Sequence, residues 1–263
     1  MRGYLAILRA HFLALLQYRA AAVAGMGTQL FWGFIRVMIF AAFYRSGAGP
    51  EPMSLAEVIS YVWLGQAFLG LQPWGVDRDV RDQIRSGAVA YELLRPLDLY
   101  ALWFSRAVAL RCAPTLLRSV PILALAGLFF GLNAPASAAS LGAFLVALLG
   151  AVLLSSAFTV LLNTTLMWTV AGEGVSHLVF GLIMMLSGMV VPLPLFPDWS
   201  QPVLTALPFR GLADVPFRLY TGHLPPADLL PALLHQLAWT AALVLLGRSL
   251  LAAGKRRLVV QGG

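Results

Sequence analysis

Long apolar blocks alternate with short polar runs along this chain, and block length decides the first reading. Six windows, 20–44, 58–76, 114–132, 141–162, 175–195 and 229–251, are apolar over about the length of a membrane span. A bilayer core of ~30 Å needs ~20 such residues in a helix rising 1.5 Å each. The second window is the weakest, because Gln66, Gln72 and Pro73 interrupt it. Five spans result if that window is only interfacial. Residues 1–19 follow another pattern: Leu5, Leu8, Phe12 and Leu15 recur at helical spacing, while Arg2 and Arg9 share one flank. That arrangement suits a helix lying in the headgroup layer, with a disordered tail as the alternative. Arg2, Arg9, His11 and Arg19 break any short apolar core, so a cleaved leader is not expected.

Composition agrees with the pattern. Of 263 residues, 60% are hydrophobic and 11% charged, against roughly 25% charged in a soluble domain. So few charges cannot coat a water-facing globule of this size, but they suffice where most of the surface meets lipid. The net charge of +7 comes with cations placed between apolar blocks, which points to topology rather than to nucleic acid. On one side lie Arg2, Arg9, Arg19, Arg78, Arg81, Arg85, Arg95, Arg106, Arg111, Arg248, Lys255, Arg256 and Arg257. Opposite are only Arg45, Arg210 and Arg218, while Arg36 and Arg118 fall inside windows. The positive-inside rule therefore places both termini and the 77–113 loop in the cytoplasm.

Chemistry of the enzymatic kind is poorly supplied. His11, His177, His223 and His235 show no metal-ligand spacing, and the single Cys112 excludes both a zinc cluster and an internal disulfide. Gly-x-Ser-x-Gly is absent, and the one lysine, Lys255, does not belong to a phosphate-binding loop. No enzyme is expected, no cofactor is expected in this chain, and any ATP with its magnesium would be bound by another subunit.

Two segments outside the windows carry information. In Asp77–Pro96, the pairs Asp77/Arg81 and Arg78/Asp82 support a short helix at i,i+4 spacing, with Val80 and Ile84 as its apolar stripe. Gly87 is the expected stop, since a left-handed residue at a helix end favours glycine. A second short piece ends at Arg95-Pro96, where proline disfavours helix in the residue before it. A solvated loop with topology-setting arginines is the plainer reading of the same charges. The segment 192–226 is rich in proline and aromatics, and Trp199, Phe209, Phe217 and Tyr220 suit an aromatic belt at the outer interface.

Polar groups within the windows have two readings each, because they are costly in lipid and often functional. Arg36 either snorkels to the headgroups or faces a subunit interface, and Arg118 is expected to snorkel about a turn inside the third window. Gln29, Gln66 and Asn163 either tie helices together or line a translocation path. Met184, Met185 and Met189 either pack or offer an adaptable ligand surface.

The run Ile84-x-Ser86-Gly87 followed by Glu92-Leu93-Leu94-Arg95-Pro96 resembles the loop after the second span of ABC-2 type transporter permeases. Ser187-Gly188, Pro192, Pro197, Leu207-Pro208-Phe209 and Tyr220-x-Gly222 resemble that family's exit from the fifth span. The layout agrees over nearly the whole chain, and the drug-exporter-like subgroup is the nearest in pattern. The resemblance implies one transmembrane domain over 1–263, all-α and polytopic. It would comprise about six transmembrane helices, an interfacial helix (1–19), a cytoplasmic coupling loop (77–113) and short external helices (192–226). It further implies a multi-pass protein of a bacterial cell (inner) membrane that exports by ATP-driven efflux. The implied partners are an ABC ATPase subunit, a second permease of the same or a similar chain, and the lipid bilayer, with no nucleic acid. By the same analogy Arg78, Arg81, Asp82, Ile84 and Arg85 would meet the ATPase. Gly87 would set the turn, and Glu92, Arg95 and Pro96 would fix the connection to the third span. Gln29, Arg36, Gln66, Asn163 and Met185 are the candidates for the path. The rival readings are a non-transporting membrane scaffold, an ATP-independent carrier, which would need an intramembrane acid that no window contains, and a membrane-embedded hydrolase.

Overall fold

A computed structural model describes residues 2–17, 19–47, 51–169 and 173–256; Arg257, counted above with the tail, lies outside them. The order is α1 (Arg2–Leu15), α2 (Arg19–Arg45), α3 (Leu55–Ala67), α4 (Arg78–Arg85), α5 (Val89–Leu93), α6 (Leu99–Phe129), α7 (Ala138–Thr165), α8 (Glu173–Leu186), α9 (Gln201–Ala206), α10 (Asp214–Thr221) and α11 (Leu229–Lys255). This is the expected all-α polytopic membrane protein. Among the described residues, four helices are long and apolar enough to cross a bilayer: Val23–Arg45, Leu99–Phe129, Ala138–Thr165 and Pro226–Lys255.

The other two windows fold as shorter pieces, for identifiable reasons. Helix α3 starts at a capping box in which Ser54 and Glu57 satisfy each other's backbone N–H. It stops after 13 residues and passes through a 3-10 turn at Leu69–Leu71 towards Gln72-Pro73. At about 20 Å it is too short to span. Its broken end is tolerable because protein covers it: the run from Ser60 to Ala67 is buried throughout. Helix α8 ends at Leu186, and Gly188 at φ +88° turns the chain out of helical geometry.

The third window is corrected most. Helix α6 begins at Leu99, where the Asp98 side chain accepts from the Ala101 N–H at 2.9 Å, and it runs 31 residues with Pro114 and Pro121 inside. Arg106 and Arg111, read as loop cations, are therefore helical, and the irregular stretch shrinks to the part before Leu99. Arg118 lies roughly 28 Å along this long helix, with its guanidinium against Gly25 near the start of the Val23–Arg45 span.

Helix α3 is the hub. Trp63 stacks on Phe130 with centroids 5.4 Å apart and donates from Nε1 to the Phe130 carbonyl at 2.8 Å. Tyr61 meets Phe217 edge-on, and Phe68 meets Phe144. Helices α7 and α11 approach closely at Gly150, where an added Cβ would collide with Gln236. The Gln236 amide donates to the carbonyls of Ala147 at 3.0 Å and Gly211 at 2.7 Å, the polar stitching that helix pairs use where lipid offers no hydrophobic drive.

Of the four aromatics expected in a belt, three are turned away from the surface. Trp199 is 81% exposed, whereas Phe217 and Tyr220 are buried in the core and Phe209 stacks on Phe158. Periodicity in 214–221 hid this, since α10 lies against α3 and α7 and turns both rings inward.

Candidate functional site

Helices α4 and α5 form an elbow whose inner side is fixed at four points. The Asp77 backbone N–H donates to Asn163 Oδ1 at 2.8 Å, tying the start of α4 to α7. Asp77 in turn caps α4, accepting from the Asp79 N–H at 2.9 Å. Asp79 in the first turn and Arg85 in the last agree with the helix dipole. Val80 and Val89, both fully buried, plug into a cluster with Leu99, Leu102, Trp103 and Leu251. Glu92 is buried, pairs with Arg106 at 2.8 Å and accepts from Trp103 Nε1 at 3.3 Å. Finally, the Asp98 N–H donates to the Tyr4 hydroxyl of α1 at 2.8 Å.

The outer side of the elbow is bare. Arg78, Asp79, Asp82, Arg85, Ser86, Arg95 and Pro96 are exposed, as are Tyr91 at 74% and Leu94 at 82%. Gly87, at φ +74° with nothing near its missing Cβ, makes the bend that a side chain would strain. Of the nine residues singled out here, Arg78, Asp82, Arg85, Gly87, Arg95 and Pro96 lie outward. Arg81 and Ile84 are half-buried, and Glu92 is turned inward. Sequence reasoning missed the anchor Val89 and the outward Tyr91 and Leu94. The signal lay in the run Val89-Ala90-Tyr91-Glu92-Leu93-Leu94, too short for periodicity to sort its faces.

A second polar constellation lies between α2, α3 and the end of α8. Gln29 Nε2 donates to the Gln66 carbonyl at 2.9 Å. With the Gln66 amide turned to satisfy both its ends, its nitrogen donates to the Gln29 carbonyl at 3.1 Å and its oxygen accepts from Arg36 Nη1 at 3.3 Å. Arg36 Nη2 also donates to the carbonyls of Met189 and Val190, which Gly188 frees by ending α8. Arg36 is thus held inside the protein rather than snorkelling. A groove of about 380 Å³ runs past Gln29, Trp32, Arg36, Gln66, Trp74 and Met184. Three path candidates, Gln29, Arg36 and Gln66, come together here. Asn163 does not join them, since it holds Asp77, and Met185, 57% exposed, is not part of the groove wall, which takes its neighbour Met184 instead.

At the opposite end of the helices, buried Asp214 of α10 accepts from Tyr61 Oη at 3.2 Å and pairs with Arg218 at 3.3 Å. Burial pushes its carboxyl up from the ordinary value, while Arg218 and Arg210 pull it back. The Asp214 N–H donates to the Ser187 carbonyl at 3.0 Å, so α10, α3 and the exit from α8 form one unit.

Apolar long helices around an interior polar cluster, with an anchored charged elbow at one end, define a polytopic helical membrane protein. A family model described as ABC-2 family transporter protein matches residues 20–262. The chain belongs to that family and is a membrane permease of the ABC-2 type. No curated protein and no solved structure matches it.

Proposed function

We propose that this permease works as a pair and exports its cargo, driven by a separate ATPase that docks on the α4–α5 elbow. The observation that carries the reading is the asymmetry of that elbow. Its inner side is welded to α6 and α7 through Glu92–Arg106 and Asn163–Asp77. Its outer side offers Arg78, Asp82, Arg85, Tyr91 and Leu94 to a partner. A push on the outer side therefore passes as a rigid displacement into two long helices. ATP-dependent closure of the partner would bias a two-state rearrangement of the spans in this way. A purely topological loop has no need of a partly buried ion pair and a side-chain clamp on its backbone beneath it.

The arginine balance puts the elbow in the cytoplasm. The second permease packs against the apolar outer face of α2 and α8, where Phe31, Trp32, Met38, Ile39 and Leu182 are exposed. The groove at Gln29, Arg36 and Gln66 then opens towards the line between the two subunits. ATP and magnesium stay on the ATPase.

Arg85→Glu tests this. The side chain is exposed in the last turn of α4, so stability should change by less than about 1 kcal/mol, with the lost favourable dipole contact as the main term. Co-purification of the ATPase should nevertheless fall at least tenfold, because a reversed charge on a docking face is repelled. Undiminished co-purification would remove the docking assignment.

A further inference from the structure

One face of α6 carries Arg111, Pro114 and Arg118 at spacings of three and four residues, so both arginines point the same way two turns apart. That face walls a cavity of about 650 Å³ that opens beside α4, also lined by Leu15, Trp74 and Arg78. Arg111 is spoken for: it donates to the Gln72 carbonyl at 2.6 Å and to Thr159 Oγ1 at 2.9 Å. Arg118 is not. Among the described residues it has no ion-pair partner, and its buried Nε has no hydrogen-bond acceptor. Its guanidinium lies against Gly25 of α2, where a Cβ would come within 2.8 Å of Cζ. The glycine leaves room for the charge, but nothing neutralises it.

Gly25 is two residues into the Val23–Arg45 span, so Arg118 stands near the end of the membrane that α4 occupies, at a depth where an acidic head group can reach a charge that has no acid of its own. The charged groups that face the cavity are Arg78, Arg111 and Arg118 against Asp77 and Asp79, with His11 at the rim. Asp77 is occupied in capping α4, and both aspartates belong to the start of that helix rather than to α6. The wall that α6 contributes is therefore cationic. Leu15, Leu110, Trp74 and Pro114 make the rest of the wall apolar. Trp74 also lines the groove at Arg36 and Gln66, so the two spaces follow one another.

We infer that this cavity receives the acidic head, phosphate or carboxylate, of an amphiphilic molecule, and that such molecules are the cargo class. The cargo half of the statement rests on the transport reading above; the binding half does not. Arg118 meets the head group, Arg111 braces the α6 wall through Gln72 and Thr159, and Gly25 leaves room for the Arg118 guanidinium. The apolar wall takes the chain.

The full-length protein in phosphatidylcholine nanodiscs, labelled with a photoactivatable phosphatidic acid analogue, gives the test. Labelling should fall on peptides of α2 and α6 and drop about tenfold in Arg118→Gln, the loss of one charge-assisted contact. Arg118→Lys should retain most of it, and both variants should elute as the parent does. A diacylglycerol analogue should label weakly and equally in all three, and inorganic phosphate should not compete. Equal labelling of Arg118→Gln and parent, equal labelling by diacylglycerol, or displacement by phosphate would overturn the inference. Failed labelling with the ATPase still co-purifying defeats the cavity assignment alone. Arg118-dependent labelling without any ATPase partner defeats the transport reading and leaves the site.

Discussion

Replacing Asp214 by Ala should destabilise the protein by about 3–5 kcal/mol, the cost of breaking one side of a buried pair. Asp214 is 1% exposed, and its carboxylate meets both the Tyr61 hydroxyl and Arg218. Its removal leaves the Tyr61 hydroxyl buried without that partner, and Arg218 without its acid. Helix α10 would then lose its polar tie to α3 and keep only its apolar one. Asp214→Asn should cost less, because an amide oxygen still accepts from Tyr61. Unfolding of the purified protein in detergent, followed by intrinsic fluorescence, separates the two variants. An Asp214→Ala protein that unfolds with the parent would mean that the network contributes nothing.

The second large effect is expected at Glu92. Glu92→Ala leaves Arg106, 18% exposed, and the Trp103 indole N–H without their acceptor. A partly buried pair of this kind should cost about 2–4 kcal/mol. The loss should be local as well as global: amides of residues 77–98 should exchange faster, since α5 is held otherwise mainly by Val89. Glu92→Gln retains one acceptor for Trp103 and should fall between parent and Ala variant. Unchanged exchange across the elbow in Glu92→Ala would show that apolar packing alone fixes α5.

The sequence made the long elements legible where length and hydropathy agree, as in α2, α7 and α11. It failed where polar residues sit inside a helix. Arg106 and Arg111 made 99–113 read as loop, although one arginine is neutralised by Glu92 and the other has donors satisfied by the Gln72 carbonyl and Thr159. Those partners are distant in sequence or face inward, so no local pattern announces them. The break of α3 was foreshadowed by Gln72-Pro73 and that of α8 by Ser187-Gly188. Even so, apolar windows ran through both, since hydropathy does not register a turn.

The same limit governs the site. Gly87 was readable because a left-handed bend selects glycine, and the structure places it at φ +74°. The roles of Arg78 and Arg85 as outward charges follow from an amphipathic α4. Asn163 was readable only as a polar residue in an apolar helix; that it holds Asp77, 86 residues away, is a tertiary fact. Gln29, Gln66 and Arg36 were found individually, and only packing shows that they form one chain of hydrogen bonds.

The whole account turns on which side of the membrane the elbow faces. Ser86 is exposed at its tip, and Cys112, half-buried, can be replaced to leave a single reporter thiol. With Ser86→Cys in a Cys112→Ala background, a membrane-impermeant maleimide should label inside-out vesicles and leave intact cells unlabelled. Addition of the ATPase should then shield the thiol. Labelling of intact cells from outside would contradict the account at its root.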